Sequence, residues 1–185
     1  MLPCVLVGLG LGIVTIYKKH LSPITVPIYA VIQGIFLGAI SYTFNSLYDG
    51  IVITAISYTL SILFVMLTLY RTGIIKPTEN FKLGVAAGTG GIALIYLANF
   101  IMSFFGTGLS IMDINNASIY SIGFSLLVIV MASLNLVVDF DFIEEGSEKG
   151  APKYMEWFGA FGLLVTLIWL YLEILRLLAK LNSRK

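Results

Sequence analysis

The 185-residue chain is 58% hydrophobic and only 11% charged, with a mean hydropathy of +0.97. Water-soluble domains carry about a quarter charged residues, so this composition excludes a soluble globular fold and points to an all-α protein integral to a membrane, one domain over residues 1–185. A net charge of +1 leaves no basic face for nucleic acid, and a lone Cys4 and a lone His20 exclude an intrachain disulfide, a thiolate metal site and a histidine-based metal centre.

A helix that crosses the hydrocarbon needs about 20 apolar residues. Six candidates follow in chain order: residues 2–17, which is short, then roughly 24–44, 51–70, 83–105, 118–139 and 155–179. The breaks carry charge or turn residues: Lys18-Lys19-His20 with Pro23, Asn45 to Gly50, Arg71 to Lys82 with Pro77, Gly106 to Asn116, and Asp139 to Lys153 with Gly146, Gly150 and Pro152. Short connections make consecutive helices antiparallel neighbours. Met1 stands at the head of an apolar helix with no polar or basic leader, so a cleaved signal peptide is not expected and an upstream helix is expected to be missing.

Lysine and arginine set orientation. The loops after helices one, three and five hold Lys18, Lys19, Arg71, Lys76, Lys82, Lys149 and Lys153, whereas the loops after helices two and four hold none. The first set is therefore expected on the cytoplasmic face. The C-terminal tail, with Lys180, Arg184 and Lys185, breaks that pattern, since six crossings place it on the other side.

Three apolar segments carry glycines four apart: Gly8 and Gly12, Gly34 and Gly38, Gly84 and Gly88. Small residues at that spacing let helix backbones approach closely, so close packing is expected at all three.

Helix five empties into Asp139, Asp141, Glu144 and Glu145. Acids at the edge of a lipid-spanning segment are expensive and usually have a task. Ser125, Ala132, Asn135 and Asp139 recur at helical spacing and form one small, polar stripe, which should face the bundle interior because lipid offers no partners. Helix six has a matching stripe: Gly159, Gly162, Thr166, Trp169, Glu173 and Arg176. Glu173 and Arg176, three apart, pair within the helix on the simplest account.

Asp139 is placed at the helix C-terminus, where a carboxylate meets the negative end of the macrodipole. Such an acid holds a cation when charged and releases it when neutral, with Lys18 and Lys19 as candidate partners. Asp141 is a possible helper; Glu144, Glu145 and Glu148 read as solvated loop charges. Carboxylates here also attract Ca²⁺ weakly, without the spacing of a dedicated metal site, and no cofactor is expected. Enzyme chemistry is poorly served. Asp139 and Asp141 face different sides of a helix, and Gly123-Phe124-Ser125 lacks the second glycine and the histidine of a serine elbow.

The segments PIYAVIQGIFLGAIS (27–41), LYRTGIIKPTENFK (69–82), ASLNLVVDFDFIEEG (132–146) and APKYMEWFGAFGLLVTLIWLYLEILRLL (151–178) resemble the Bax inhibitor-like membrane proteins, in particular their bacterial YccA-type branch. The resemblance implies a seven-helix bundle with the last helix central, of which this chain lacks the first, in a bacterial inner membrane. It also implies a pH-sensitive calcium leak, in which two aspartates on the last two helices share a proton and pair with a basic residue on an early helix. Asp139 matches the first aspartate, and Lys18 or Lys19 falls near the basic position. An ungapped match puts Thr166 at the second aspartate; a strained register puts Glu173 there. The other function weighed is non-transport: binding and modulating membrane partners such as proteases.

Overall fold

A computed structural model describes residues 2–114, 116 and 118–183, with the side chains of Leu2 and Pro3 excepted. Its elements are α1 (Leu2–Tyr17), α2 (Ser22–Leu47), α3 (Ile51–Arg71), α4 (Glu79–Phe104), α5 (Ile119–Glu148) and α6 (Tyr154–Asn182), with short 3-10 turns at Lys19–Leu21 and Ser110–Met112. Local chemistry sets the ends. Thr78 and Ser118 cap α4 and α5, their hydroxyls accepting from Phe81 N and Ser121 N at 3.3 Å. Gly150, at φ 62°, closes α5, and Ala151 N returns to Gly146 O at 2.9 Å.

Five helices, α2 to α6, are long and apolar enough to cross a membrane. All six expected segments are helical; α1 is the short one, with 16 described residues, a rise of about 24 Å against a hydrocarbon core of about 30 Å.

α6 packs against α2, α3 and α5, while α1 rests on α2 and α4 rests on α5. The main core draws Ile51, Ala55 and Met66 from α3, Ala132, Leu136, Val137 and Phe140 from α5, and Leu170, Ile174, Leu175 and Ala179 from α6. The outward residues of α5, such as Leu126, Leu127 and Val130, are exposed and suit lipid. α6 is therefore the central helix of the bundle, as the sequence resemblance implied.

Contacts between helix ends bring together the loops that the charge pattern had grouped. Tyr70 at the end of α3 donates to Glu144 near the end of α5. Lys82 at the start of α4 pairs with Asp141 at 2.6 Å. Ser22 Oγ at the start of α2 donates to Tyr154 O at the start of α6 at 2.7 Å. The loops after α1, α3 and α5 thus share one end of the bundle, called here the lysine end.

Two expectations fail. α5 does not stop at Asp139 but runs nine residues further, to Glu148. Its last turns keep apolar residues at helical spacing with partners to meet: Phe140 is buried, and Ile143 fits over Gly159 of α6, where an added Cβ would lie 2.8 Å from Ile143 Cγ1. The supposed loop acids Glu144, Glu145 and Glu148 are helical, and Glu145 pairs with Lys149.

The glycine pairs are the second failure. A Cβ at Gly8, Gly12 or Gly88 would meet the side chain of Gln33, Phe161 or Met131, whereas at Gly34, Gly38 and Gly84 it would meet nothing within 4 Å. Close helix packing therefore does not occur at the last three, which lie on faces of α2 and α4 that no other helix of this chain covers.

Candidate functional site

The polar stripes of α5 and α6 face each other. Ser125 and Ala132 are buried, and Asn135 donates to Thr89 Oγ1 of α4 at 2.7 Å and to Met131 O at 2.9 Å. One turn on, Asp139 lies beside Gly162, its Oδ1 3.2 Å from where a Cβ on that glycine would stand. Thr166 lines the same cavity as the carboxyl. Asp139 Oδ2 is buried and has no hydrogen-bond partner among the described residues.

The carboxyl borders a cavity of about 420 Å³ at the junction of α1, α5 and α6, lined by Ile16, Phe142, Phe158, Phe161 and Val165 around Asp139 and Thr166. Two polar side chains in an otherwise apolar cleft concentrate whatever polar chemistry the cleft has on them.

Asp139 is not at a helix C-terminus. With nine residues of α5 beyond it, it sits about 14 Å inside the helix end. The negative end of the helix dipole therefore does not bear on it, because that field fades within the last turn.

Neither expected lysine partner reaches Asp139. Lys18 is exposed, and Lys19 Nζ sits 5.0 Å from the centroid of Phe158, one of the rings lining the cavity. Lys19 thus stands over the cavity wall and makes no ion pair among the described residues. Asp141 points away from Asp139, toward Lys82 of α4.

The register of α6 places Thr166 beside Asp139 and leaves Glu173 seven residues on, a rise of about 10 Å. Glu173 is 2% exposed and accepts from Arg176 Nη1 at 2.7 Å, with Tyr96 of α4 donating to the same oxygen. Arg176 also donates to the Tyr96 hydroxyl at 3.1 Å. The intrahelical pair expected at Glu173 is present, with Tyr96 as an unforeseen third member.

Lys180, read above as a tail charge, is instead fully buried. Its ammonium donates to Ile111 O at 3.0 Å, Ser121 O at 3.3 Å and Ser125 Oγ at 2.9 Å. Extending the α6 stripe from Glu173 and Arg176 by one more helical step reaches Lys180, and extending the α5 stripe back by four reaches Ser121; that periodicity was the available signal. Lys180 therefore does not count against the orientation rule, and Arg184 and Lys185 lie outside the described residues. Among the described residues, no three His, Cys, Asp or Glu side chains gather closely enough to hold a metal ion.

Five long apolar helices, one of them central and carrying a polar interior stripe, define a multi-pass helical membrane protein. The family model described as Bax inhibitor 1-like matches residues 1–183. The chain belongs to the Bax inhibitor 1-like family. Searches of curated proteins and of solved structures returned no match.

Proposed function

We propose that the protein, in a bacterial inner membrane with its lysine end cytoplasmic, provides a slow cation leak, with Ca²⁺ the ion, and that Asp139 attracts and gates it. The observation that carries this is Asp139, which lines a cavity in a membrane-spanning helix and whose buried Oδ2 has no hydrogen-bond partner among the described residues. A buried carboxylate oxygen without a partner is costly, and such acids inside membrane segments mark ion or proton pathways. A proton or a cation supplies the missing partner, and exchange between them is a gate. Lys19 over Phe158 lies at the cavity edge, where its charge tunes entry. Asp141, held by Lys82, keeps α4 against α5 and is outside the ion path. Further along the bundle, Leu136 and Leu170, both fully buried, separate Asp139 from Glu173 and make this a closed conformation.

Calcium efflux from liposomes holding purified protein tests the proposal. Efflux above that of empty liposomes at pH 6 or pH 8 is the expected result; efflux equal to theirs at both overturns it.

The alternative is an interaction protein that modulates membrane proteases or other membrane proteins. One observation favours it: Gly34, Gly38 and Gly84 have open space above them, and glycine faces receive helices from partners. On that account Asp139→Asn leaves function intact, while bulky residues at these glycines abolish crosslinking to the partner.

A further inference from the structure

The far end of the bundle, opposite the lysine end, holds a second polar centre that the Asp139 cavity does not explain. Lys180 is 0% exposed, and its ammonium has three N–H donors and three acceptors: Ile111 O, Ser121 O and Ser125 Oγ at 2.9–3.3 Å. All three acceptors are neutral oxygens, and no carboxylate pairs with Lys180 within 4.0 Å among the described residues. The charged groups facing it are Arg176 and Glu173 on its own helix and Asp113 on the loop before α5.

The two carbonyl oxygens, of Ile111 before α5 and of Ser121 within it, are held by bonds that do not involve the lysine. Ser121 Oγ donates to Ile111 O at 2.9 Å. Asn116 Nδ2 fastens the 3-10 turn through Ser110 O at 2.9 Å and Ser110 Oγ at 2.7 Å. Leu109 N donates to Asn99 Oδ1 of α4 at 2.8 Å. Trimming the lysine therefore leaves the two carbonyls aimed at the vacated point, with the buried Ser125 hydroxyl beside them.

Neutral carbonyl and hydroxyl oxygens at about 3 Å match how proteins replace the hydration shell of a monovalent cation. Ca²⁺ takes six to eight oxygens, carboxylates among them, at about 2.3–2.6 Å, which this centre does not offer. We propose that Ile111 O, Ser121 O and Ser125 Oγ form a monovalent-cation site that the Lys180 ammonium occupies as a tethered ion. On the leak account, the same ammonium closes the far mouth of the path. The site itself does not rest on that account.

Thermal unfolding of the purified full chain in detergent tests it. In ethylammonium or K⁺ salts, Lys180→Ala is expected to melt about 2–4 °C higher than in N-methylglucamine salt, because a ligand that binds only the folded state stabilises it. Wild type, with its site filled, and Lys180→Met, with the space filled by an apolar side chain, are expected to show no such difference. Adding Ser125→Ala to Lys180→Ala is expected to shrink the response. Equal melting of Lys180→Ala in all three salts overturns the proposal. If Lys180→Ala purifies folded only when ethylammonium or K⁺ is present, that supports it; failure to fold under every salt overturns it. The outcome is the same whether or not liposomes leak, so the two accounts fail separately.

Discussion

Asp139 and Thr166 are unequal neighbours: one carboxyl and one hydroxyl on the wall of one cavity between two helices. A single carboxyl titrates alone, so any pH response of the wild type is that of one proton. Thr166→Asp adds a second carboxyl at the same point. Two such acids cannot both ionise freely and titrate in coupled steps. Calcium efflux of Thr166→Asp is therefore expected to change more steeply between pH 6 and pH 8 than that of wild type. Superimposable pH profiles would contradict the placement of the gate at this pair. Asp139 stood out in the sequence because it interrupts an apolar run, but its unpartnered oxygen did not, since that depends on what α6 brings opposite. Lys180 was misread for the same reason. A lysine near a chain end looks solvated until a loop sixty-nine residues away is known to put the Ile111 carbonyl on its ammonium.

Helix positions were legible because a hydrophobic run broken by Gly, Pro and charge has few alternatives. The end of α5 was not, because the run of acids from Asp139 disguised the helical spacing of Phe140 and Ile143. What prolongs α5 is tertiary: Gly159 and Gly162 leave room on α6 for Ile143 and Asp139. The glycine spacings on α2 and α4 misled for the opposite reason, since spacing states that a partner fits and not that one is present. Packing of α5 on its neighbours sets a difference between its two faces. Leu136→Ala, at a fully buried position, is expected to lower unfolding stability by about 2 kcal/mol, the low end for core truncations, because lipid is as apolar as the core. Leu126→Ala, at a position 54% exposed, is expected to change little. Denaturant unfolding in mixed micelles compares them, and equal losses would contradict the assigned faces.

Over the whole molecule, the contacts Tyr70–Glu144, Lys82–Asp141 and Ser22–Tyr154 gather three loops at one end, and the proposed orientation puts that basic end in the cytoplasm. In a Cys4→Ser background, single cysteines replacing Lys76 and Lys153 are expected to resist a membrane-impermeant maleimide added outside cells, while one replacing Asp49 reacts. Labelling of all three from one side would break the topology. The bundle then offers a largely apolar cavity with Asp139 and Thr166 on its wall, an apolar layer through Leu136 and Leu170, and a second polar centre under Lys180. In the proposed function, Asp139 controls an ion path through that bundle. Calcium efflux from liposomes carrying equal amounts of folded wild type and Asp139→Asn tests it most directly. Different efflux rates, with the variant's rate the same at pH 6 and pH 8, are expected. Identical rates and identical pH dependence in the two proteins would contradict the claim.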